Sequence, residues 1–430
     1  MELLKGRIST IKTKQKKGYD RNYFAMTFEG SLFMGSISVM AAGGAMAVFI
    51  DTMTGSKTLV GLAITLQSLC LLIGHLICAP FVHSIRNLPK VLFYKMSCQR
   101  IIPLLMAVPL FFGAGPYFSV GVFLVLYGLF WTADGIISMP WSELAARALK
   151  PELRGHMMGM QVVVGSAISL LTGLLLTWLL ATPLLTDNHR FGYIFILTAV
   201  VLLPSILFIR IVKDPQPIKI PVKADFKKYY SKIPAIIKES KPLQQALIAR
   251  IPGYVGFSVI TFMVVFGANT LDISETQISW LVYSKIVGGL LGGIILGEAS
   301  RRFGNKIVIL LCNGGVLITI LMALLLMIFP SLGYIWLMAS CILAALWANS
   351  WLGYLNYLLD ISPIEHRPAY QMIGGCIGIP FSFAGYAIGA VIDQWGYAVA
   401  FVIGGITAII AITASLSLLS RKRIKALNLS

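Results

Sequence analysis

Residues 306–329 read KIVILLCNGGVLITILMALLLMIF, and this stretch decides the class of the fold. After Lys306 the stretch carries no charged side chain through Phe329. An α-helix rises about 1.5 Å per residue, so a run of this length spans the roughly 30 Å hydrocarbon core of a bilayer. The stretch therefore predicts a transmembrane helix.

Eleven further runs of similar length and composition lie on either side of this stretch. Hydrophobic residues make up 57% of the 430 residues and charged residues only 12%, about half the charged fraction of an ordinary soluble domain. The mean hydropathy is +0.82. We therefore predict an all-α membrane protein with about twelve transmembrane helices, at 23–50, 58–82, 90–113, 117–141, 157–182, 192–212, 243–267, 277–299, 306–329, 333–358, 370–393 and 396–420.

The positive charge predicts the orientation of these helices. The net charge is +18, and the cations lie in the connections between apolar runs, not along one helix face. This pattern follows the positive-inside rule and favours contact with anionic lipid headgroups, with no nucleic-acid partner. Basic and charge-poor connections alternate along almost the whole chain. We therefore expect a plasma-membrane protein with both termini in the cytoplasm.

One long polar segment, residues 213–241, interrupts the chain near its middle and contains eight lysines. It predicts a cytoplasmic basic linker between an N-terminal six-helix bundle in 1–212 and a C-terminal six-helix bundle with a basic tail in 242–430. We expect the linker to be solvated at the membrane surface. Its residues 226–237 could instead form an amphipathic helix on the headgroups.

The two halves carry similar loops at similar places, which indicates an internal duplication of a kind known in transporters. Residues 297–306, GEASRRFGNK, follow the eighth predicted span. They resemble the loop Gly-x3-Asp-Arg-x-Gly-Arg-Arg that joins the second and third helices of each half in the major facilitator superfamily. Other stretches resemble a poorly characterised bacterial branch of that superfamily; they are 28–30, 54–62, 140–142, 151–155, 356–360 and 367–370.

The resemblance implies two pseudo-symmetric six-helix bundles and secondary transport of a small molecule by alternating access, in a monomer. It also implies a cytoplasmic gate. The acid of the family's gate motif is replaced by Arg301 in the second half and by His83 in the first, and Glu298 could substitute one turn earlier. The gate candidates are His83, Arg86, Arg154, Gly297, Glu298, Arg302, Gly304, Lys306 and Arg367.

Charged residues inside predicted spans are candidates for function, because a charge in hydrocarbon is costly. Glu29, Asp134 and Arg250 lie at a similar depth, and the resemblance implies that their helices line a central cavity. Arg100 and Lys285 lie nearer the middle of the bilayer. Either Glu29 or Asp134 could bind the coupling proton, or these acids could form static ion pairs, such as Asp134 with Arg250 or Arg100.

The candidate substrate contacts follow from chemistry and spacing. Arg250, Arg100 and Lys285 favour an anionic or zwitterionic solute. Trp347, Trp351 and Tyr354 share one face of the tenth span at i, i+4, i+7 spacing, with Asn349 between them, and this face could line the cavity or pack in lipid. His75 could relay protons or simply bond a neighbouring helix.

The sequence has no phosphate-binding loop, no readable nucleophile–base pair and no metal-ligand spacing among its six cysteines. We therefore predict no enzyme activity, no cofactor and no metal. The favoured function is transport of a small organic solute driven by protons or another ion. Two alternatives remain open: a translocase for lipids or other amphiphiles, and a membrane receptor or assembly factor that transports nothing.

Overall fold

The computed structural model describes residues 21–37, 40, 45–181, 185–215, 225–271 and 275–427. Within these ranges every regular element is a helix. The α-helices are α1 (21–37), α2 (Ala45–Thr54), α3 (Lys57–Cys78), α4 (Leu88–Arg100), α5 (Ile102–Phe111), α6 (Pro116–Ala148), α7 (Pro151–Ala181), α8 (Asp187–Leu202), α9 (Ser205–Ile211), α10 (Phe226–Ser231), α11 (Ile233–Glu239), α12 (Lys241–Ile260), α13 (Met263–Thr270), α14 (Glu275–Phe303), α15 (Asn305–Ile328), α16 (Gly333–Trp347), α17 (Ser350–Ile361), α18 (Arg367–Cys376), α19 (Ala384–Leu416) and α20 (Arg421–Ala426).

Eight helical segments of the described chain are long and apolar enough to cross a membrane. The four other predicted spans, 23–50, 243–267, 277–299 and 370–393, also fall on helical residues in their described parts. The all-α membrane fold predicted from the sequence is confirmed, and the twelve predicted spans are consistent with it. The eight segments are 65–84, 88–111, 116–148, 151–176, 187–211, 305–328, 330–361 and 384–426.

The chain divides into two compact units. The first contains residues 1–157 and 167–224, and the second contains residues 158–166 and 225–430. In the first unit, Phe49 of α2 packs edge-on against Phe123 of α6 and Phe195 of α8, with ring centroids 5.2 and 5.3 Å apart. The second unit repeats the motif: Phe266 of α13 packs edge-on against Phe401 of α19 at 5.0 Å. Each aromatic cluster forms part of its unit's apolar core.

Two predicted helices of the first unit are interrupted, each next to a proline. The span at 90–113 consists of α4 and α5 and breaks at Ile101, while the span at 192–212 consists of α8 and α9 and breaks before Ser205. Pro103 and Pro204 have no N–H group to donate to the preceding turn, so neither helix continues unbroken. The segments pack in pairs, α4 against α9 and α5 against α8. The two breaks therefore lie side by side.

The second unit has interruptions of its own. The span at 243–267 breaks between α12 and α13, and the span at 333–358 breaks at Ala348 and Asn349, between α16 and α17. The span at 370–393 is divided by a short 3-10 helix, Pro380–Phe383. Interrupted membrane helices expose backbone groups that need partners, and they are tolerated where protein or a cavity supplies them.

Small residues bring helices together within both units. Gly74 of α3 and Gly135 of α6 meet backbone to backbone, so a side-chain carbon added at either would collide with the other helix. In the second unit Gly288 and Gly292 of α14 lie in the same way against the backbone of α16. Close approach of this kind is typical of helix packing in lipid, where van der Waals contact drives association.

The linker begins with an anchored segment. Asn22 of α1 donates to the carbonyl of Lys213 at 2.9 Å and accepts from the amide of Lys213 at 3.0 Å. Arg147 pairs with Asp214 at 3.5 Å and with Glu143 at 2.7 Å, and all three side chains are buried. Further along, the predicted surface helix at 226–237 corresponds to two short helices, α10 and α11.

Candidate functional site

Arg100 is the centre of a buried polar cluster in the first unit. It is the last residue of α4, where the negative end of the helix dipole favours a cation. Its Nη2 pairs with Oε1 of Glu29 at 3.3 Å, and its Nε donates to Oγ of Ser205 at 3.2 Å. Its guanidinium carbon lies 4.7 Å from the centroid of the Phe33 ring. Arg100 and Glu29 are 1% and 2% exposed, so the pair is fully withdrawn from solvent.

Glu29 has a second donor, and Asp134 lies beside the pair. Trp141 of α6 donates its indole N–H to Oε2 of Glu29 at 2.8 Å. The amide of Gln99 donates to Asp134 Oδ1 at 3.2 Å, and its oxygen accepts from Arg100. The charges of Arg100 and Asp134 are close enough to interact. The cluster therefore joins α1, α4, α6 and α9, and it contains two acids and one base.

Arg250 of α12 is the centre of a second site, in the second unit. Its Nη1 donates to the carbonyl of Gly374 at 2.8 Å. That carbonyl lies in the last turn of α18, where backbone oxygens lack a helical partner and the helix dipole favours a cation. The guanidinium carbon lies 5.3 Å from the ring centroids of both Tyr254 and Tyr354. Two aromatic rings and a helix end thus hold the guanidinium in place.

A cavity of about 160 Å³ opens beside this guanidinium. Trp351 and Tyr354 of α17 face it, as the sequence suggested for a ligand wall, and Asn313 of α15 contributes an amide. The volume suits a small polar group or a few waters, and it is below the roughly 300 Å³ of a typical organic ligand pocket. Its lining residues are Arg250, Gly253, Tyr254, Phe257, Cys312, Asn313, Val316, Ala348, Ser350, Trp351 and Tyr354.

The sequence profile of the Major Facilitator Superfamily matches residues 246–429. The whole chain also has the fold of a solved member, the proton:xylose symporter XylE bound to 6-bromo-6-deoxy-D-glucose. The similarity has a TM-score of 0.70 at 12% identity and covers 96% of this chain and 99% of that one. The second half of this chain therefore matches the superfamily by sequence, and the whole chain has the fold of a solved member. The resemblance to the superfamily predicted from the sequence is confirmed, and the bacterial branch stays a prediction.

Other solved structures show the same fold. A bacterial homologue of the iron transporter ferroportin, in its outward-facing state, is similar with a TM-score of 0.69 and 13% identity over 93% of this chain and 99% of that one. The human organic anion transporter MFSD10 (TETRAN) is similar with a TM-score of 0.65 and 13% identity, again over 93% and 99%. No curated protein matches the chain by sequence. The similarity to transporters agrees with the prediction that the chain is not an enzyme.

The charges of the predicted gate motif lie together at the C-terminal end of α14. Glu298 of α14 accepts from Arg301 Nε at 2.7 Å and also from Arg302. Both arginines are exposed, and Glu298 is about one-third exposed, so solvent screens these pairs. Glu298 thus contacts the arginine that replaces the family's acid. Whether it serves as the gate acid stays a prediction.

The loop after α14 is held by contacts to the end of α19. Gly304 has φ of 90°, a left-handed conformation that favours glycine, and Arg421 packs against it. Lys306 donates to the carbonyls of Leu416 and Leu418 at 2.6 and 2.7 Å, at the C-terminal end of α19. Lys306 therefore satisfies orphan backbone oxygens of a helix end.

The remaining gate candidates lie in both units. Arg154 and Arg367 are buried, at 3% and 7% exposed, near the N-terminal ends of α7 and α18. His83 lies in the 3-10 helix Ala79–Ser84 after α3, and the exposed Arg86 follows it. Gly297 of α14 lies against Gly159 of α7, inside the second unit. A gating role for these residues stays a prediction.

Four other predicted site residues lie outside the Arg250 cavity. The break at Ala348 and Asn349 divides the predicted aromatic face of the tenth span: the Trp347 ring packs against Gly315 of α15, away from Trp351. Asn349 lies against Gly292 of α14.

His75 contacts Oγ of Ser138 on α6 at 2.8 Å, which is the simple helix–helix bond considered from the sequence. Lys285 is exposed on α14. These four residues thus contact neighbouring helices or lie at the surface, and none of them lines the cavity.

The structure adds residues that sequence reasoning missed. Trp141, Gln99 and Ser205 surround the Glu29–Arg100 pair, and Tyr254 and Asn313 complete the Arg250 cavity. Asn305 is a further addition. It donates to Asp360 Oδ2 at 2.6 Å and accepts from Ser300 at the same distance, which joins the α14–α15 loop to α17. Trp141 and Asp360 lie inside the stretches 140–142 and 356–360, which resemble the superfamily branch. That resemblance was the sequence signal that could have identified these two residues.

Proposed function

We propose that this protein is a secondary transporter that moves a small organic anion across the plasma membrane by alternating access. The superfamily supports the transport class. The observation that supports an anionic substrate is the position of the Arg250 guanidinium, which borders a cavity and lies between aromatic rings. Arg250 carries five N–H donors in a planar fork that suits carboxylate and phosphate.

The cavity chemistry supports a small acid with an apolar or aromatic part. One N–H of Arg250 is used by Gly374, and four others remain on the guanidinium. The rings of Tyr254 and Trp351 offer apolar surface, and Asn313 offers a further polar contact. The bound anion would sit against Arg250, while its remainder would extend from the small cavity.

Fold neighbours do not select this substrate. They include a proton:xylose symporter, a bacterial homologue of an iron transporter and an organic anion transporter. At 12–13% identity these similarities show only that the fold is shared. The proposal therefore rests on the residues around Arg250.

We propose proton coupling at the cluster of Glu29, Arg100 and Asp134. With both acids ionised the cluster has a net charge of −1, and one added proton makes it neutral. A charge change inside a low-dielectric region alters the energy of helix arrangements. The cluster touches α4 and α9 at their breaks, so a proton there could bias the arrangement of the interrupted helices.

The substrate test starts with thermal unfolding of the purified protein in the presence of small organic acids. A ligand at 100 times its Kd stabilises the folded state by about 2.7 kcal/mol. Stabilising acids are then loaded into proteoliposomes for flux measurements. We expect Arg250→Met to lose both binding and flux. Arg250→Lys should retain part of the binding, because it keeps the charge and loses the fork.

Arg423→Met is the matched control, because Arg423 is an exposed arginine of the same unit. It should bind and transport as the unchanged protein does. Binding of an acid that persists unchanged in Arg250→Met would refute the anion site. Binding without flux would instead favour the receptor or assembly factor considered from the sequence.

The coupling test uses Glu29→Gln in the same liposomes. We expect transport down the solute's own gradient to persist, while acceleration by an imposed pH gradient is lost. Asp134→Asn tests the second acid separately. If both variants keep the pH response of the unchanged protein, the cluster is structural.

A lipid or amphiphile translocase is the second candidate, left open by the sequence. It predicts stabilisation by lysolipids and transfer of labelled lipid between leaflets, independent of Arg250. The liposomes of the flux assay can carry labelled lipid, so both candidates are tested with one preparation.

A further inference from the structure

A separate pocket lies at one end of the first unit, between the start of α4 and the end of α9. Its volume is about 580 Å³, and its lining comes from the start of α4, the end of α9 and the first residues of the linker. The lining is strongly basic and partly aromatic. Its residues are Asn87, Pro89, Lys90, Phe93, Tyr94, Arg210, Val212, Lys213 and Asp214.

The charge of this pocket favours an anion. Lys90, Arg210 and Lys213 contribute three positive charges. The one acid, Asp214, has its side chain 95% withdrawn from solvent and pairs with the buried Arg147 at 3.5 Å. Arg147 also pairs with Glu143 at 2.7 Å, so it offsets the charge of Asp214 only in part. The three cations of the lining still outnumber its one acid.

Local structure fixes the backbone at two of these cations and the side chain of the third. The side chain of Asn87 accepts from the amide of Lys90 at 3.1 Å, which fixes the first turn of α4. The Arg210 guanidinium carbon lies 5.7 Å from the centroid of the Phe93 ring. The backbone of Lys213 is held by its two bonds to Asn22. The two lysine side chains thus extend from a fixed backbone beside the Arg210 guanidinium.

An exposed apolar stripe runs from the pocket along the interrupted α4–α5 helix. Tyr94 at the pocket edge is 59% exposed, and the stripe continues through Ile101, Leu105, Val108 and Phe112. The positions from Ile101 to Phe112 repeat at intervals of 4, 3 and 4 residues, so they share one face of α5 and its ends, while Tyr94 lies on α4 before the break. This face suits contact with hydrocarbon.

A second stripe runs from the pocket along the α8–α9 helix. Leu207, Val200 and Tyr193 lie seven residues apart and are 63%, 58% and 41% exposed. Tyr193 meets Phe111 of α5 with ring centroids 5.2 Å apart, so the neighbouring helix is close to this stripe as well. A cationic pocket at one end and two apolar stripes leading from it match the shape of a phospholipid.

We propose that this pocket binds the phosphate of an anionic phospholipid, whose acyl chains lie along the two stripes. The basic connections that border the pocket belong to the set predicted to face the cytoplasm, where anionic lipids attract basic residues. The site lies in the first unit, whereas Arg250 lies in the second. The proposal therefore does not depend on the transported solute.

The test compares binding of phosphatidylglycerol and phosphatidylcholine to the purified protein in detergent by native mass spectrometry. The pocket variant is Lys90→Ala/Arg210→Ala/Lys213→Ala. Each cation near an anionic lipid contributes a factor of about five. We therefore expect the pocket variant to bind phosphatidylglycerol on the order of 100-fold more weakly, and its phosphatidylcholine binding to stay unchanged.

The matched control is Lys227→Ala/Lys228→Ala/Lys232→Ala, which removes the same charge from exposed positions of α10 and its end. It should keep the preference for phosphatidylglycerol. Equal loss in both triple variants, or no loss in the pocket variant, would overturn the site. Lys90→Glu, a single reversal at an exposed position, repeats the test if the triple variant does not fold.

A soluble phosphate compound is the other source of the same chemistry. Thermal unfolding with inorganic phosphate and glycerol phosphate, in detergent without lipid, separates the two. We expect no stabilisation at millimolar concentration. Stabilisation that disappears in the pocket variant would assign the site to a soluble phosphate compound and would overturn the proposal of a bound lipid.

Discussion

At the scale of single residues, the buried contacts of Arg100 are the feature of the first unit that bears most on its stability. One guanidinium contacts a carboxylate, a hydroxyl, an amide oxygen and an aromatic ring, from its own helix and two others. Removing one partner of a buried ion pair is strongly destabilising, because the other charge is left uncompensated. The pair therefore ties conformational stability to the same acid that we propose for coupling.

Glu29→Gln should lower the free energy of unfolding by about 3 kcal/mol, because Arg100 loses its ionised partner within a buried site. Thermal or chemical unfolding in detergent measures the change. Glu239→Gln is the matched control, since Glu239 is exposed at the end of α11, and it should have no effect. Equal stability of the two variants would mean that the Glu29–Arg100 contact contributes little.

At the scale of helices, small residues decide how closely neighbours approach. Gly135 of α6 faces the carbonyl of Leu71 and the backbone of Gly74 on α3, with no space for a side chain. Gly121 lies on the same helix two turns or more from this crossing, and open space surrounds it. One helix thus offers a contact glycine and a free glycine for comparison.

Gly135→Ala should destabilise the protein by about 1–3 kcal/mol, because the added methyl group forces α3 and α6 apart. Gly121→Ala should be neutral or slightly stabilising, since alanine favours helix over glycine by roughly 0.5–1 kcal/mol. The melting temperatures of the two purified variants give the comparison. A Gly135→Ala protein as stable as Gly121→Ala would show that the helices do not pack this closely.

At the scale of the whole molecule, the alternation of basic connections predicts which segments share a side of the membrane. The linker segment at α10 belongs to the basic set, and the start of α8 follows a charge-poor connection. Asp187 in that connection is about half exposed, and Lys227 of α10 is exposed. The two positions should therefore lie on opposite sides.

Single cysteines at these positions test the orientation. In a Cys98→Ser background, which removes the exposed native thiol, Asp187→Cys should react with a membrane-impermeant maleimide added to intact cells. Lys227→Cys should react only after the membrane is opened. Both variants should label equally in detergent. Labelling of Lys227→Cys in intact cells would reverse the predicted cytoplasmic linker.

The candidate site was only partly predictable from the sequence. Charges inside apolar runs identify Glu29, Arg100, Asp134 and Arg250 as unusual, because their cost in lipid depends on residue type alone. Their partners depend on which helices are neighbours. The sequence offered Asp134 as a partner of Arg250 or Arg100, whereas Glu29 is the acid that pairs directly with Arg100.

Helix breaks explain another difference between the site predicted from the sequence and the site in the structure. The i, i+4, i+7 face of Trp347, Trp351 and Tyr354 assumed one continuous helix, and the interruption at Ala348 and Asn349 removes Trp347 from it. Pro103 and Pro204 give a local signal for two other breaks, because a proline has no N–H group to donate to the preceding turn. The break at Asn349 has no such local signal, and there Asn349 lies against Gly292 of α14.

The sequence by itself determined the all-helical membrane architecture and the resemblance to the superfamily. Hydrophobic length and loop motifs are local properties, and the bilayer imposes helix formation on any apolar run of that length. Only the tertiary structure decided which polar groups meet: Arg100 with Glu29 and Ser205, Arg250 with the end of α18, and three cations around one pocket. Side-chain partners are set by the contacts between helices far apart in the chain, and no spacing along one helix encodes them.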